Sequence, residues 1–480
     1  MKLPDTCIKI AIPSDYTDGP KSPVVDPWTG ERIAEVVLAT EAHAEEATRV
    51  AVAAFDVQRR SPSHRRAGLL RFVADRLEGD ADRFASLVTA ESGKPIALAR
   101  VEVARAVTTF RLASEEATRI GGEVVPLDVT EATEGYSGHW VRVPRGPVLA
   151  ISPFNFPLNL VAHKVAPALA CGASVVLKPA PQAPLTALAL RDLFHDVAPG
   201  VCTVLPCDVP IAERLVKDNR FKVLSFTGSA AVGYHLKAIA SKKHVVLELG
   251  GNAAAIVHED ARDLPWVAAR VAASAFGFAG QVCIKTQRLF VHRPIAERFV
   301  ALLLDEVKRF EVSDPRDPAT KLGPMIDEKA ARRVEAWVDE ACAAGASRLT
   351  GGARAGNRHP ATVLAIEGLG RGLSVVDEEV FGPVLSVFVY DAWDEAIAMA
   401  GRSRYGLQAG VFTDSMSRAR AAFDGLDVGG LVVNDTPSVR VDVMPYGGTR
   451  DSGLGREGVR YAIEELTERK MLVVRATPPS

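Results

Sequence analysis

The chain has 480 residues, in which 57 Lys and Arg face 59 Asp and Glu, so its formal net charge is −2. This balance excludes proteins that bind nucleic acid through a strongly basic surface, and we expect no nucleic-acid partner. Hydrophobic residues make up 48% and charged residues 24% of the chain, which is typical of a folded globular protein. At roughly 150 residues per domain, the length predicts about three domains.

The cysteines and the N-terminus predict a cytoplasmic protein. Six cysteines are scattered along the chain, without the spacing of a disulfide framework or a metal clip. Pro4, Asp5 and Asp15 interrupt the region where a signal peptide needs an apolar run. The longest apolar stretch, 147–177, contains proline, asparagine, histidine and lysine, so we expect no membrane span.

The first third of the chain predicts helices and one ribbon. Thr40 can cap a helix over 41–57, a second helix follows Ser63, and a long helix is predicted over about 80–117. Residues 124–143 alternate in polarity with little continuous apolar content, which favours an exposed two-stranded ribbon. We expect this ribbon to contact another subunit.

The middle of the chain predicts two α/β domains. Between 146 and 251 the segments VLAIS, SVVLKP, KVLSFTG and HVVLELG are continuous and rich in β-branched residues, as in the buried parallel strands of a doubly wound sheet. A second run follows, with strand-like RLFVH, VLSVFVY and AGVFTD and with helices near 293–310 and 327–344.

Two strand ends could bind a phosphate-containing ligand. The segment FTGSAAVG (226–233) follows a strand and opens a helix, whose first N–H groups could face an anion. Lys178 ends another strand, at the edge where open α/β sheets bind ligands. Each feature also has an ordinary structural explanation, as a glycine turn or a solvated lysine.

Three further residues suggest nucleophilic catalysis. Cys283 and Glu248 both lie beside glycines at strand ends, where a thiol nucleophile and a carboxylate base could meet a ligand. Asn155 follows another strand, and its amide could donate to a developing oxyanion. Taken singly, they could equally be a small buried residue, a surface charge and a turn residue.

Seven strings in order resemble the aldehyde dehydrogenase superfamily, and the resemblance covers about residues 20–475. They are PFNFP (153–157), HKVAPALACG (163–172), FTGS (226–229), LELGGN (247–252), GQVC (280–283), EEVFGP (378–383) and PYGGTRDSGLGREG (445–458). The resemblance implies that Cys283 attacks an aldehyde to form a thiohemiacetal, with the Asn155 amide and the Cys283 N–H as oxyanion hole. Hydride transfer to a nicotinamide would leave a thioester, which a water activated by Glu248 would hydrolyse.

The resemblance also implies a cofactor site for NAD or NADP. Lys178 would bind the adenosine ribose, the helix after Ser229 the pyrophosphate, and Glu379 the nicotinamide ribose. Many NAD-dependent members have a glutamate in the run where this chain has Lys-Pro-Ala-Pro (178–181), so the choice between NAD and NADP stays open. The other cofactor-binding residues predicted here are Ser152, Pro153, Phe154, Gly228, Leu249 and Phe381.

The fold implied is α/β, with a Rossmann-type cofactor domain, a second α/β catalytic domain and a bridging β-ribbon that makes a homodimer or homotetramer. We place the NAD(P)-binding domain at 1–127 and 144–250, with a return at 444–461, the catalytic domain at 251–443, and the oligomerisation ribbon at 128–143 and 462–480.

The substrate is expected to be a small polar aldehyde, most simply an anionic one such as a semialdehyde, a phosphoaldehyde or a phosphonoaldehyde. Segment 433–448 is similar to the lactaldehyde dehydrogenase-like and non-phosphorylating glyceraldehyde-3-phosphate dehydrogenase branches. Arg105 and Arg440 are candidates to hold the anion, with Phe156 beside them, although either arginine could be a surface residue. Val282 stands where phosphate-binding members place arginine, which weakens the phosphate case.

Three alternatives remain. They are a neutral aldehyde such as lactaldehyde, acylation of coenzyme A, which an intact Glu248 disfavours, and a non-catalytic family member, which the intact Cys283 disfavours. We predict no metal site, because the ten histidines show no paired-ligand spacing.

Overall fold

The computed structural model describes residues 18–195, 197–368 and 372–476, so the N-terminal segment in which no signal peptide was predicted, with Cys7, lies outside the described residues. The helices are α1 (Glu41–Gln58), α2 (Ser63–Gly79), α3 (Ala81–Ser92), α4 (Ile96–Glu116), α5 (Asn159–Cys171), α6 (Leu185–His195), α7 (Val209–Lys217), α8 (Ala230–Ile239), α9 (Leu264–Phe276), α10 (Ala296–Val307), α11 (Glu328–Ala343), α12 (Ser374–Asp377), α13 (Trp393–Ala400), α14 (Met416–Gly425) and α15 (Val459–Leu466). Short 3-10 helices cover Glu131–Thr133, Gly277–Gly280 and Arg293–Ile295.

The strands follow in chain order. They are β1 (Lys21–Val25), β2 (Arg32–Val37), β3 (Gly122–Pro126), β4 (Tyr136–Pro144), β5 (Val148–Ile151), β6 (Val175–Lys178), β7 (Cys202–Val204), β8 (Val223–Thr227), β9 (His244–Glu248), β10 (Ala254–Val257), β11 (Arg288–His292), β12 (Ser347–Thr350), β13 (Thr362–Ala365), β14 (Val384–Tyr390), β15 (Tyr405–Gly406), β16 (Gln408–Phe412), β17 (Gly430–Val433), β18 (Thr449–Arg450), β19 (Gly453–Leu454) and β20 (Thr467–Arg475).

Two mostly parallel sheets form the framework. The first has the order β19-β9-β8-β5-β6-β7, and only its edge strand β19 is antiparallel. The second has the order β12-β13-β14-β11-β10-β16-β17, again with one antiparallel edge strand, β12. The central strands are almost entirely buried, which explains their continuous apolar sequences. The predicted α/β fold is confirmed.

The apolar stretch 147–177 lies in the hydrophobic core around the first sheet. It forms β5, α5 and β6, and all thirteen residues of α5 are buried, where the helix packs against α4 and α15. Within the described ranges, no helix combines the length and the apolar character that a membrane span requires.

The ribbon has three strands, two around the segment predicted as a two-stranded ribbon and a third from the C-terminal segment that was also assigned to it. Strand β4 pairs antiparallel with β3 and, over its whole length, with β20 near the C-terminus. The segment 462–480 therefore divides between the end of α15 and β20, and 477–480 lie outside the described residues. All of β20 after Thr467 is exposed.

The predicted helices agree with the structure except in one place. The Thr40 hydroxyl accepts from the His43 N–H at 3.3 Å and begins α1, as expected. The single helix predicted over 80–117 is wrong, because α3 and α4 are separate helices. Gly93 takes a left-handed conformation (φ +70°) and ends α3, and Pro95 then cannot supply the N–H that a continuous helix needs.

Candidate active site

The segment before Cys283 has an unusual backbone. Phe278, Ala279 and Gly280 all adopt positive φ angles, of 52°, 53° and 65°. A Cβ at position 280 would lie 2.2 Å from the Gly382 carbonyl oxygen, so only glycine fits there. Strained backbone conformations are common next to the reactive groups of active sites. Here the three strained residues lie directly before the segment that contains Cys283.

The Cys283 thiol lies in a polar contact with a tyrosine. Its sulfur is 3.2 Å from the Tyr446 hydroxyl, and the side chain is half-buried. Burial raises the pKa of this thiol to about 11, although the Tyr446 hydrogen bond acts in the opposite direction. The Asn155 amide lies beside the same segment and donates to the Gln281 carbonyl at 2.9 Å.

Glu248 ends β9 inside the protein. It is only 3% exposed, and in the part of the chain that the structure describes neither carboxylate oxygen has a hydrogen-bond partner. Burial and, after it, the negative charge of Glu457 raise the pKa of this carboxyl well above its ordinary range. A carboxyl group with a pKa raised in this way is a candidate for proton transfer in a site.

Two glycines that follow Glu248, Gly250 and Gly251, lie very close to other residues of the site. A Cβ on Gly250 would lie 2.2 Å from the Glu379 carboxylate, and one on Gly251 would lie 2.3 Å from the Cys283 carbonyl. The Gly251 N–H donates to Glu379 Oε1 at 2.9 Å. The chain therefore passes between Glu379 and Cys283, and burial raises the pKa of Glu379 to about 7.

The carboxyl edge of the first sheet carries groups that fit a dinucleotide. Lys178 ends β6, and its ammonium forms neither a hydrogen bond nor an ion pair with any described residue. Gly228 and Ser229 join β8 to α8, and the Ser229 side chain makes no capping bond to that helix. The first N–H groups of α8 thus have no side-chain acceptor and can meet a phosphate.

Apolar residues border the same edge. The Phe154 and Phe381 rings meet edge to face, with centroids 5.9 Å apart, and Phe381 has a φ of +43°. A Cβ on Gly233 of α8 would lie 2.4 Å from the Leu249 side chain, so the helix packs closely on the residue after Glu248. Ser152 and Pro153 directly follow β5 at this edge.

Arg440 belongs to a buried charge cluster beside the thiol. Its guanidinium stacks 3.8 Å from the centre of the Tyr446 ring and donates to Glu457 at 2.9 Å. Lys164 donates to the other oxygen of Glu457 at 3.3 Å. The Arg440 side chain is 6% exposed, which excludes a solvated surface arginine, and its Nε has no hydrogen-bond partner among the described residues.

Arg105 forms a second, more open pair. It donates to both oxygens of Asp442 at 3.1 and 2.6 Å, and the His163 ring nitrogen lies 2.9 Å from the same carboxylate. The Arg105 side chain is 27% exposed. The ring of Phe156 contacts the Lys94 ammonium, which lies 3.7 Å from its centre.

Several residues of the site had no predicted role. Tyr446 and Glu457 lie in the string PYGGTRDSGLGREG, and Lys164 lies in HKVAPALACG. The strings thus contained the signal, but a string does not tell which distant side chain a residue contacts. Asp442, which binds both Arg105 and His163, lay in the substrate segment 433–448 without an assigned role.

Comparison with known proteins identifies the family. The model of the aldehyde dehydrogenase family matches residues 16–472, which is almost the whole chain. The chain belongs to the aldehyde dehydrogenase family. The family predicted from the sequence is confirmed, and the chain is an NAD(P)-dependent aldehyde dehydrogenase that oxidises aldehydes to carboxylic acids.

Three similar proteins extend this comparison. A 3-sulfolactaldehyde dehydrogenase from Priestia aryabhattai is 42% identical over 462 residues, which are 95% of this chain and 96% of the relative. The structure of aldehyde dehydrogenase 21 from Physcomitrella patens, in complex with the reaction product succinate, has a TM-score of 0.94 at 42% identity and covers 96% of both chains. An NADP-dependent glyceraldehyde-3-phosphate dehydrogenase from Bacillus halodurans C-125, complexed with NADP, has a TM-score of 0.92 at 33% identity and again covers 96% of both chains.

Proposed function

We propose that this aldehyde dehydrogenase oxidises a small anionic aldehyde, whose sulfonate, carboxylate or phosphate group is held by Arg440 and Arg105. The observation that carries the proposal is the buried Arg440 guanidinium beside the Cys283 thiol, with one N–H that no described residue accepts. A buried donor without an acceptor costs free energy, and an anionic substrate group would satisfy it.

The chain's own residues support attack by Cys283. Its sulfur contacts Tyr446, and the Asn155 amide, which donates to Gln281 two residues before the cysteine, can turn to the substrate oxygen. Attack on the aldehyde carbon places negative charge on that oxygen, which the Asn155 amide and the Cys283 N–H stabilise as hydrogen-bond donors. A thiol with a pKa of about 11 is protonated at neutral pH, so as the S–C bond forms the thiol proton passes by way of water to the aldehyde oxygen, which gives the neutral thiohemiacetal.

Glu248 is the base that completes the cycle. Bound NAD(P) supplies the two-electron oxidant that converts the thiohemiacetal into a thioester, and Lys178, the α8 N-terminus and Glu379 would hold it. Glu248 then removes a proton from the water that attacks the thioester. Its raised pKa makes the ionised carboxylate a stronger base than an ordinary surface glutamate.

The charges near the thiol favour an anion. Arg105, Arg440 and Lys164 face two ionised carboxylates, Asp442 and Glu457, whose pKa values are lowered by these partners. Three cations against two carboxylates leave an excess of positive charge, as long as Glu248 is protonated. The three similar proteins named above likewise handle compounds that carry a sulfonate, a carboxylate or a phosphate.

The remaining predictions stand as parts of this proposal. We propose a homodimer or homotetramer, and the exposed apolar residues of the three-stranded ribbon, among them Met471, Leu472 and Val473, support contact with a second copy. The domain limits given above and a cytoplasmic location are retained as proposals. The sparse cysteines of the sequence support the location.

A panel of aldehydes tests the substrate class. Reduction of NAD and NADP is measured with sulfonated, carboxylated, phosphorylated and neutral aldehydes of similar size, for wild type, Arg440→Lys and Arg105→Gln. Arg111→Gln is the matched control, because Arg111 lies on the same helix as Arg105 and pairs with exposed Glu78. We expect kcat/KM for the anionic aldehyde to fall by about 10- to 100-fold in the two site variants, with little change for neutral aldehydes.

The opposite results are equally clear. If lactaldehyde or another neutral aldehyde is the best substrate and both arginine variants behave like Arg111→Gln, the anionic assignment is wrong. Stimulation of product formation by coenzyme A, with an acyl-CoA as product, would replace hydrolysis by acyl transfer as the second half of the reaction.

The Lys178→Ala variant reports separately on the cofactor site, where we expect a higher KM for NAD(P) and an unchanged aldehyde preference.

A further inference from the structure

Two histidines meet at the carboxyl ends of two central strands of the second sheet. Strands β10 and β11 are parallel, with Val257 beside Val291, so His258 and His292 come next to each other at the carboxyl ends. Their ring centroids are 4.2 Å apart, and Glu259 follows His258 directly. One ring nitrogen from each histidine and one Glu259 oxygen all lie within 4.8 Å of one another.

Hydrogen bonds fix which ring nitrogens carry the protons. His292 Nε2 lies 3.1 Å from the Asp391 backbone carbonyl, which can only accept, so this nitrogen is the donor. The Tyr390 hydroxyl donates to the Val257 carbonyl and therefore accepts from His258 Nδ1 at 3.2 Å. The lone pairs in the neutral rings are thus on His258 Nε2 and His292 Nδ1, and the second of these nitrogens lies 3.8 Å from a Glu259 oxygen.

These two lone pairs have no protein partner. Among the described residues, neither His258 Nε2 nor His292 Nδ1 has a hydrogen bond, although the residues are only 4% and 8% exposed. Glu259 Oε2 lies 3.8 Å from His292 Nδ1, which is too far for a hydrogen bond. Arg418, whose charge acts on His258, is already paired with Asp260 at 2.9 Å.

We propose that His258, His292 and Glu259 bind a divalent transition-metal ion of the zinc class. Two neutral imidazoles and one carboxylate form a common zinc ligand set, whereas Mg²⁺ and Ca²⁺ prefer oxygen ligands throughout. Metal-bound histidines typically donate their second ring N–H to a carbonyl or another fixed acceptor, and both histidines already do so here. Glu259 is 50% exposed, so an ion can enter from solvent and keep water as a further ligand.

The sequence predicted no metal site, and this inference departs from that prediction. The two histidines lie far apart in the chain, and only the parallel pairing of β10 and β11 brings them together. The site lies at the other end of β11 from the thiol segment, because Cys283 precedes the first residue of β11 whereas His292 is its last. Metal binding and aldehyde oxidation can therefore be tested independently.

Metal binding is measured directly on the full chain. Cys283→Ser protein, which removes the reactive thiol as a competing ligand, is dialysed against Zn²⁺ and analysed for bound metal. We expect one tightly held ion per chain, and an affinity reduced by about tenfold or more in Glu259→Gln and in His292→Gln. Binding of Co²⁺ should give the visible absorption of a nitrogen and oxygen site and should quench Trp393, whose ring lies 5.4 Å from that of His258.

A second histidine–carboxylate pair serves as control. His235 and Glu213 lie 2.8 Å apart on the exposed surface, and no described residue joins them as a third ligand, so His235→Gln should bind metal like its parent. Glu259→Gln in the wild-type background should oxidise aldehydes normally, which shows that the variant is folded. The proposal is overturned if Cys283→Ser protein holds no stoichiometric Zn²⁺, or if Glu259→Gln and His292→Gln bind it as tightly as their parent.

Discussion

Two buried carboxylates near the thiol behave in opposite ways. Glu248 and Glu457 are 3% and 2% exposed, so burial alone does not distinguish them. Glu457 accepts hydrogen bonds from Arg440 and Lys164, and these cations lower its pKa to about 2. Glu248 has no hydrogen-bond partner among the described residues, and its pKa is raised well above the ordinary value.

The comparison shows that partners rather than burial decide what a buried carboxylate does. Two titratable groups whose pKa values are driven apart in one site typically divide the work between them. Glu457 stays ionised and holds Arg440 and Lys164 in place. Burial raises the pKa of Glu248, so its ionised carboxylate binds a proton more strongly, which is the property that a general base requires.

The largest predicted effect is on turnover in Glu248→Gln. Loss of the general base should lower the steady-state rate by about 10²- to 10⁴-fold, because water then attacks the thioester unaided. Rapid-mixing measurement of the first turnover should still show a burst of reduced cofactor, since formation of the thioester does not need this base. If Glu248→Gln turns over at the wild-type rate, the division of roles is wrong.

The second prediction concerns stability in Glu457→Gln. This change leaves Arg440 and Lys164 buried without their shared carboxylate, and we expect the free energy of unfolding to fall by roughly 3–5 kcal/mol. Glu248→Gln is the matched control and should leave stability nearly unchanged, because its carboxyl has no cationic hydrogen-bond partner to lose. Denaturant unfolding of both variants checks this. If the two variants are equally stable, the cationic partners of Glu457 do not distinguish it from Glu248, and the comparison is wrong.

The third prediction concerns the pH dependence of the thiol. The Cys283 pKa is raised to about 11, so the thiolate fraction and kcat/KM should increase as the pH rises from neutral towards that value. In Tyr446→Phe the thiol loses a hydrogen bond that lowers its pKa, so the profile should move to higher pH. The rate at pH 8 should then fall by about three- to tenfold.

Alkylation of the thiol provides the check on that third prediction. The rate at which iodoacetamide modifies Cys283 should follow the same pH profile as kcat/KM and should shift in the same direction in Tyr446→Phe. An unshifted alkylation profile would mean that Tyr446 does not stabilise the thiolate.

The central strands of the fold could be predicted because burial on both faces leaves a simple signal. The runs that became β5, β6, β8 and β9 are apolar at nearly every position. The ends of helices and the pairing of exposed strands were harder to predict. The end of α3 depends on the left-handed conformation of Gly93, and β20 is an exposed strand whose partner β4 lies far away in the chain.

The site was predictable only in part, for a related reason. Cys283, Glu248 and Asn155 were proposed from residue type and flanking glycines, and the resemblance to the family supported them. The contact of Tyr446 with Cys283 and the ion pairs of Glu457 join segments far apart in the sequence. No local pattern records such contacts, and the same limitation hid the pairing of His258 with His292.

The central claim is that Cys283 forms the thioester that Glu248 releases. Its most direct test mixes Glu248→Gln protein with NAD(P) and the best anionic aldehyde from the panel, quenches the mixture in acid, and measures intact and peptide masses. We predict an acyl adduct of the substrate on Cys283, absent from the Cys283→Ala, Glu248→Gln double variant. An adduct on another residue, or none while product forms at the wild-type rate, would contradict the account.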